Sequence, residues 1–299
     1  VKNTLLVLSR FAELRAKLFA TDSVEAGHEG LLQREHDRRG VTLVELLIAV
    51  AILAILSMGL GGLSLAVHQG WNYAQGHRLA AQQGRVSLER ITRAVREATS
   101  TPDHPGCYVV VDTSGSSTFP ETLVVWRPSG TPANAEGPPL ISECVFFCPD
   151  PADPSRLLEI TAPGDSREIP LTDELGESSW QTILDDLKTS PSSQIVVLCD
   201  CLRAFPSGGG LSQPRGAVRF QREIMPSVAQ WEAFRNDEVT WEELDWPQGV
   251  FENLGGLRQI WLRVELQLVP ESTSGGGVTE TVPLFGSACL YDDLQIGDK

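Results

Sequence analysis

From Val41 to Val67 the chain reads VTLVELLIAVAILAILSMGLGGLSLAV, 27 residues in which Glu45 is the single charged side chain. Wound as a helix it is roughly 40 Å long, more than the roughly 30 Å of a bilayer's hydrocarbon core. Such a run predicts a membrane-spanning helix. A cleaved secretory signal fits poorly, because its apolar region is shorter, about 7–15 residues, and ends at a small-x-small site. Here a carboxylate stands at the fifth position and no such site follows before a helical stretch opens near His68. No cysteine follows the basic leader directly, so a lipoprotein anchor is not indicated. Asp37-Arg38-Arg39-Gly40 precedes the run, and arginines at one membrane edge put that side in the cytoplasm. The C-terminal side is then expected outside.

Beyond His68 the continuous apolarity gives way to period. Ala81, Leu88 and Val95 recur every seven residues, and Gly84, Ile91 and Ala98 fill the intermediate positions of one helical face. Arg78, Arg85, Glu89, Arg93 and Arg96 lie largely off that stripe, and Pro102 closes the run. One helix from about Val41 to about Thr99 is expected. Each of Gly59, Gly61, Gly62, Gly70, Gly76 and Gly84 costs roughly 1 kcal/mol against alanine, so its middle should be weakest.

Residues 100–299 carry 12 basic and 30 acidic side chains, a net −18 that more than accounts for the chain's −15. That balance argues against a nucleic-acid partner, whose phosphates require a basic footprint. Strand-like runs alternate there with Gly/Pro/Ser turns: Leu123–Trp126, Cys144–Phe147, Leu157–Thr161, Ile195–Cys199 and Ala217–Phe220. In Gln259–Val269 the residues Ile260, Leu262, Val264, Leu266 and Leu268 face one way and Arg263, Glu265 and Gln267 the other, which predicts a half-buried strand. Ser274–Gly277 is read as a turn into Val278–Phe285, making a hairpin. Ser227–Trp246 reads as acidic helical turns, an insertion at about 225–247. Pro128–Pro139 reads as a loop. The fold expected is α+β, a long N-terminal helix packed on an antiparallel sheet.

Little in this composition supports catalysis. Of five histidines only His104 falls in the globular part, in a Pro-flanked turn with no nucleophile motif around it. Gly208–Gly210 and Gly275–Gly277 lack the Lys-Ser/Thr of a phosphate loop and read as turns. Cys107, Cys144, Cys148, Cys199, Cys201 and Cys289 all follow residue 100. Cys144-x3-Cys148, Cys199-x-Cys201 and His104-x2-Cys107 offer ligands for zinc. Disulfides are the stronger reading outside the cytoplasm, and six cysteines permit 15 connectivities. Asp185-Asp186 and Asp292-Asp293 lack calcium-loop spacing and read as solvated acidic surface. No metal and no cofactor is expected. Glu45 stands apart, since a carboxylate within a membrane helix is costly unless paired. The alternative is a glutamate snorkelling to the interface one turn from Arg39.

Gly40-Val41-Thr42-Leu43-Val44-Glu45 and the apolar run behind it closely resemble the processing motif of type IV prepilins and type II secretion pseudopilins. The first mature residue of that family is usually Phe and here is Val41, and 40 preceding residues exceed most leaders. The resemblance implies residues 1–40 as leader, 41–67 as the transmembrane half of the helix, 68–101 as its amphipathic half and 102–299 as an extracytoplasmic β-rich domain. It implies that prepilin peptidase cuts between Gly40 and Val41 and methylates the Val41 amine. Glu45 would then pair with such an amine, its own or a neighbour's, and set register during assembly. The partners implied are other major and minor pseudopilins or pilins and the inner membrane. The strand, glycine turn and strand near the C-terminus resemble the J component of type II secretion. A type IV minor pilin and an uncleaved membrane-anchored binding module are the alternatives.

Overall fold

The computed structural model describes residues 41–114, 117–134, 137–170, 178–207, 211, 213–270 and 280–298. The chain divides into two units, Val1–Leu60 and Gly61–Lys299. The leader expectation, the Ser274–Gly277 turn and both glycine triplets fall on residues outside the description.

Helix α1 (Leu43–Arg96) is unbroken over 54 residues. Its described part in the first unit, residues 43–60, has every side chain exposed. In the second unit its last five turns behave differently. Ala80, Gly84, Ser87, Leu88, Ile91, Thr92, Ala94 and Val95 are buried, the face that the seven-residue period marks out. Ile91 and Val95 are fully covered, a gain of about 1.5–3 kcal/mol each on full burial.

The strands β1 (Cys107–Ser114), β2 (Ser117–Trp126), β3 (Cys144–Pro149), β4 (Leu157–Thr161) and β5 (Gln194–Cys199) form an antiparallel sheet in sequential order. Leu123, Val125, Val145, Phe147 and Leu157 join the α1 residues in one core. The intervening Val124, Phe146, Leu158 and Ile160 point the other way, onto α2 (Ser178–Thr189) through Trp180, Ile183, Leu184 and Leu187. Covered on both faces, β3 is buried at all six positions, and its sequence CVFFCP has no polar alternation for that reason.

Short strands β6 (Ala204–Phe205) and β7 (Arg215–Gly216) pair with each other. The second main sheet is β8 (Val218–Met225), β9 (Gly255–Leu268) and β10 (Val282–Gln295), with β9 central and all pairs antiparallel. Ile260, Leu262, Val264, Leu266 and Leu268 face the α1 core as their alternation requires. The partner strand β10 runs from Val282 to Gln295, ten residues past the Phe285 limit expected from sequence. Trp261, Phe285 and Tyr291 stand exposed on the outer face.

The glycines do not weaken α1 into a break, and one of them is required by packing. A Cβ on Gly84 would lie 2.3 Å from Leu284 Cδ1 and 2.5 Å from Leu268 Cδ1, so the helix meets the β9–β10 hairpin there without a side chain between them. By contrast a Cβ on Gly59, Gly61, Gly62 or Gly70 meets nothing within 4 Å.

Between β8 and β9 lie α3 (Val228–Arg235) and two short 3-10 turns, Trp241–Glu243 and Pro247–Gly249. Ser227 caps α3 in a capping box with Gln230. Trp231, Phe234, Trp241, Leu244 and Trp246 close on Leu294 of β10 as a small aromatic core. Acidic by composition, this segment is held by its tryptophans. Gly256 of β9 lies flat under the Trp246 indole, where a Cβ would come within 2.3–2.7 Å of three ring carbons.

Candidate functional site

The site begins where α1 begins. Val41 is exposed and outside any regular element, and Thr42 is the last residue before the helix. The Thr42 amide and hydroxyl both donate to Glu45 Oε2, at 3.0 and 3.1 Å, and the Glu45 amide donates to Thr42 Oγ1 at 3.3 Å. Thr42-x-x-Glu45 is thus a capping box: the side chains of the two residues satisfy amides that the first helical turn leaves without partners. The carboxylate also sits at the positive end of the helix dipole. Sequence reasoning gave Glu45 a pairing role or a snorkelling role and missed this one, although T-x-x-E before an apolar run is its signature. The contact leaves the carboxylate exposed, four residues along the chain from Val41, which precedes the helix. Gly40 lies outside the described residues.

From Leu43 to Val67 the large aliphatic side chains are between 53% and 79% exposed. Monomeric proteins in water rarely show contiguous apolar patches beyond a few hundred Å². Among the described residues α1 is the one helix long and apolar enough to cross a membrane. What the helix offers chemically is an apolar rod capped by one carboxylate, suited to lipid or to other helices of its kind.

His104 is buried, its Nδ1 3.2 Å from the Tyr108 hydroxyl and its ring edge-on to Trp126. Burial holds its pKa below the ordinary imidazole value. These contacts make it a core histidine. Asp186 pairs with Arg167 at 2.7 Å and Asp292 with Arg258 at 2.8 Å, so each expected acidic surface pair has one member held in an ion pair.

All six cysteines stand unbridged, and the sheet places most of them apart. Cys107 and Cys199 face the α1 core, and Cys144 and Cys148 face α2. Cys107 and Cys199 lie on opposite edge strands of the five, roughly 19 Å apart at about 4.8 Å per strand. Cys144 and Cys148 are four residues apart on one strand, about 13 Å, where a disulfide needs Cα atoms within about 7 Å. Cys289 lies on the outer face of β10, where its sulfur accepts from Gln259 Nε2 at 3.1 Å. Burial pushes the Cys107 and Cys148 thiols up to about 11 and raises Cys144 further. Only Cys199 and Cys201 meet, at the end of β5.

Residues 36–61 match the family described as the prokaryotic N-terminal methylation motif. The match covers Gly40, Val41, Thr42 and Glu45 together with the first turns of α1. It identifies a prepilin-type start, and the chain behind it has the pilin-like α+β architecture of a long N-terminal helix followed by antiparallel sheet. Proteins with this motif are structural subunits, and the motif implies processing by prepilin peptidase and assembly with other pilins. No curated protein and no solved structure gives a significant match to the chain.

Proposed function

We propose that this chain, with its N-terminal methylation motif, is the precursor of a minor pseudopilin, a structural subunit of a type II secretion pseudopilus with no catalysis of its own. Prepilin peptidase cuts between Gly40 and Val41 and methylates the new Val41 amine. Residues 41–67 hold the product in the bacterial inner membrane, and residues 102–299 stand in the periplasm. In the filament the apolar helices of neighbouring subunits cover one another, and Glu45 faces an N-terminal amine and sets the register. The ion pair then offsets much of the cost of burying a carboxylate.

The observation that carries this reading is the coincidence of the matched motif with a helix whose large aliphatic side chains are exposed from Leu43 to Val67. The choice of a minor over a major subunit rests on the large domain, and the choice of secretion over a type IV pilus on the long β9–β10 hairpin near the C-terminus. Mass spectrometry of the protein from cells with prepilin peptidase should find a methylated Val41 as its first residue, and Gly40→Asp should leave the precursor whole. An intact leader in the wild type points instead to an uncleaved anchored module. Glu45→Ala should insert and be cut yet fail to co-purify with partner subunits at the wild-type level. Full recovery would remove the pairing role and leave Glu45 as a helix cap alone.

A further inference from the structure

Cys199 is the last residue of β5, Asp200 is a bend, and Cys201 opens the segment leading to β6. Residues two apart along a strand project to the same side, and the bend at Asp200 keeps these two close enough for their side chains to interact. The pair is fixed from several directions. The Cys201 carbonyl accepts from the Val269 amide at 2.7 Å, and the next amide, Leu202, donates to Ser155 O at 2.8 Å. The Cys201 sulfur lies 3.1 Å from Gln83 Oε1 on α1. One turn further along α1, Ser87 hydrogen-bonds Cys199 and also donates to Leu198 O at 3.2 Å. Cys199 is 2% exposed, whereas Cys201 is only half-buried. Each remaining thiol is separated from its fellows by a sheet, by several strands or by the face of β10 it occupies.

We propose that Cys199 and Cys201 are a redox site that closes to a disulfide across the Cys-Asp-Cys bend, at the place where β5 meets α1. The oxidant is a disulfide of low molecular weight or of a dithiol oxidase. Cys201, the reachable thiol, loses its proton and attacks one sulfur of the donor, whose S–S bond breaks and releases one thiol. The Cys199 thiolate then attacks the mixed disulfide at Cys201 Sγ and expels the second donor thiol. Two protein thiols become one S–S bond, and the donor gains the two protons and two electrons. In the reduced pair, hydrogen bonding from Cys201 holds the Cys199 thiol below its ordinary value in spite of burial; once Cys201 carries the donor, the hydrogen bonds from Ser87 and from the backbone still favour the Cys199 thiolate needed for closure. Closure removes the S–H that Gln83 accepts, so oxidation changes how α1 is held to the sheet. The geometry is a property of this unit alone and does not depend on which side of a membrane it occupies.

The test uses the full chain in detergent with Cys289→Ser, which removes the half-buried thiol on the outer face. The protein is equilibrated with glutathione disulfide and glutathione at graded ratios, denatured in alkylating reagent and cut with trypsin. The peptide Thr189–Arg203 holds Cys199 and Cys201 and no other cysteine. The expected result is a peptide lighter by two hydrogen atoms, free of alkyl groups, whose share rises with the oxidant ratio. With Cys199→Ser a glutathione adduct should persist on Cys201, and with Cys201→Ser neither adduct nor bridge should form. Two alkylated thiols at every ratio, a wild-type adduct on Cys201 that never closes, or equal reaction of the two variants would each overturn the proposal.

Discussion

Arg258 of β9 is only 2% exposed, and removing its countercharge should cost this fold more than removing the pair. Its Nη2 donates to Asp292 Oδ2 at 2.8 Å across the β9–β10 pair and also to Thr101 O, and its Nη1 donates to Pro102 O at 3.0 Å. One guanidinium therefore ties the segment that leaves α1 to the C-terminal hairpin. Burial pulls its pKa down while Asp292 pushes it back up, so the carboxylate is what keeps a charge tolerable there. Asp292→Asn leaves that charge buried with neutral acceptors only, a loss of about 3–5 kcal/mol. In Arg258→Met/Asp292→Leu no charge remains. Thr101 O still accepts from the His104 amide at 3.1 Å, so Pro102 O is the principal group left without its partner, at about 1–3 kcal/mol. The double variant should thus be the more stable of the two. At about 2–4 °C per kcal/mol for a domain of this size, thermal unfolding of the full chain in detergent should move down by about 6–20 °C for Asp292→Asn. A double variant that melts below Asp292→Asn would refute the reasoning, because it would mean that packing and hydrogen bonds outweigh the stranded charge.

Other substitutions test other layers. Gly256→Ala should force the Trp246 indole off β9, lower stability by about 1–3 kcal/mol and change the near-ultraviolet circular dichroism of the Trp231, Trp241 and Trp246 cluster. His104 has a folded pKa below its unfolded value of about 6.5, so the unfolded chain binds more protons in the window just below that value. The stability it supplies is complete above the unfolded pKa and is lost as pH falls through the folded one. His104→Gln should accordingly lose less melting temperature than wild type between pH 7 and pH 5.5, and equal losses would count against it. Thr42→Ala should weaken the first turn of α1 by about 0.5–2 kcal/mol, seen as faster amide exchange at Glu45 with no change in the unfolding temperature of residues 61–299.

The sequence announced most strands of both sheets, the doubly covered β3 among them, and missed β1, α2 and the short β6 and β7. β4 was legible to the residue, and β9 through its alternation, because one face of β9 is core and the other is wet. β1 escaped notice: CYVVVDTS contains little alternation, and its place between α1 and the layer beneath α2 explains why. Helix α2 did carry a signal, Trp180, Ile183, Leu184 and Leu187 at helical spacing, obscured by the acids Asp185 and Asp186 between them. The cysteines show a different limit. An even count suggests pairing, but which sheet face each sulfur occupies is decided by strand register, and register comes from the whole sheet.

Along α1, apolarity and burial run in opposite senses. The residues up to Val67 are the most apolar in the chain and are exposed, while the turns that the second unit buries use Ala80, Gly84, Ser87, Thr92 and Ala94 beside three large aliphatics. Small side chains bring the helix backbone close to Leu268 and Leu284, and Arg90 reaches the buried Glu159 carboxylate to fasten the same turns to β4. Tight packing of this kind selects for shape, whereas the first half selects only for apolarity and helix propensity: among the described residues a Cβ on Gly59, Gly61 or Gly62 meets nothing within 4 Å. A helix made to pack within its own domain would not leave that half uncovered. In the function proposed above, lipid before assembly and neighbouring helices after it cover this half, which the described part of the fold leaves exposed.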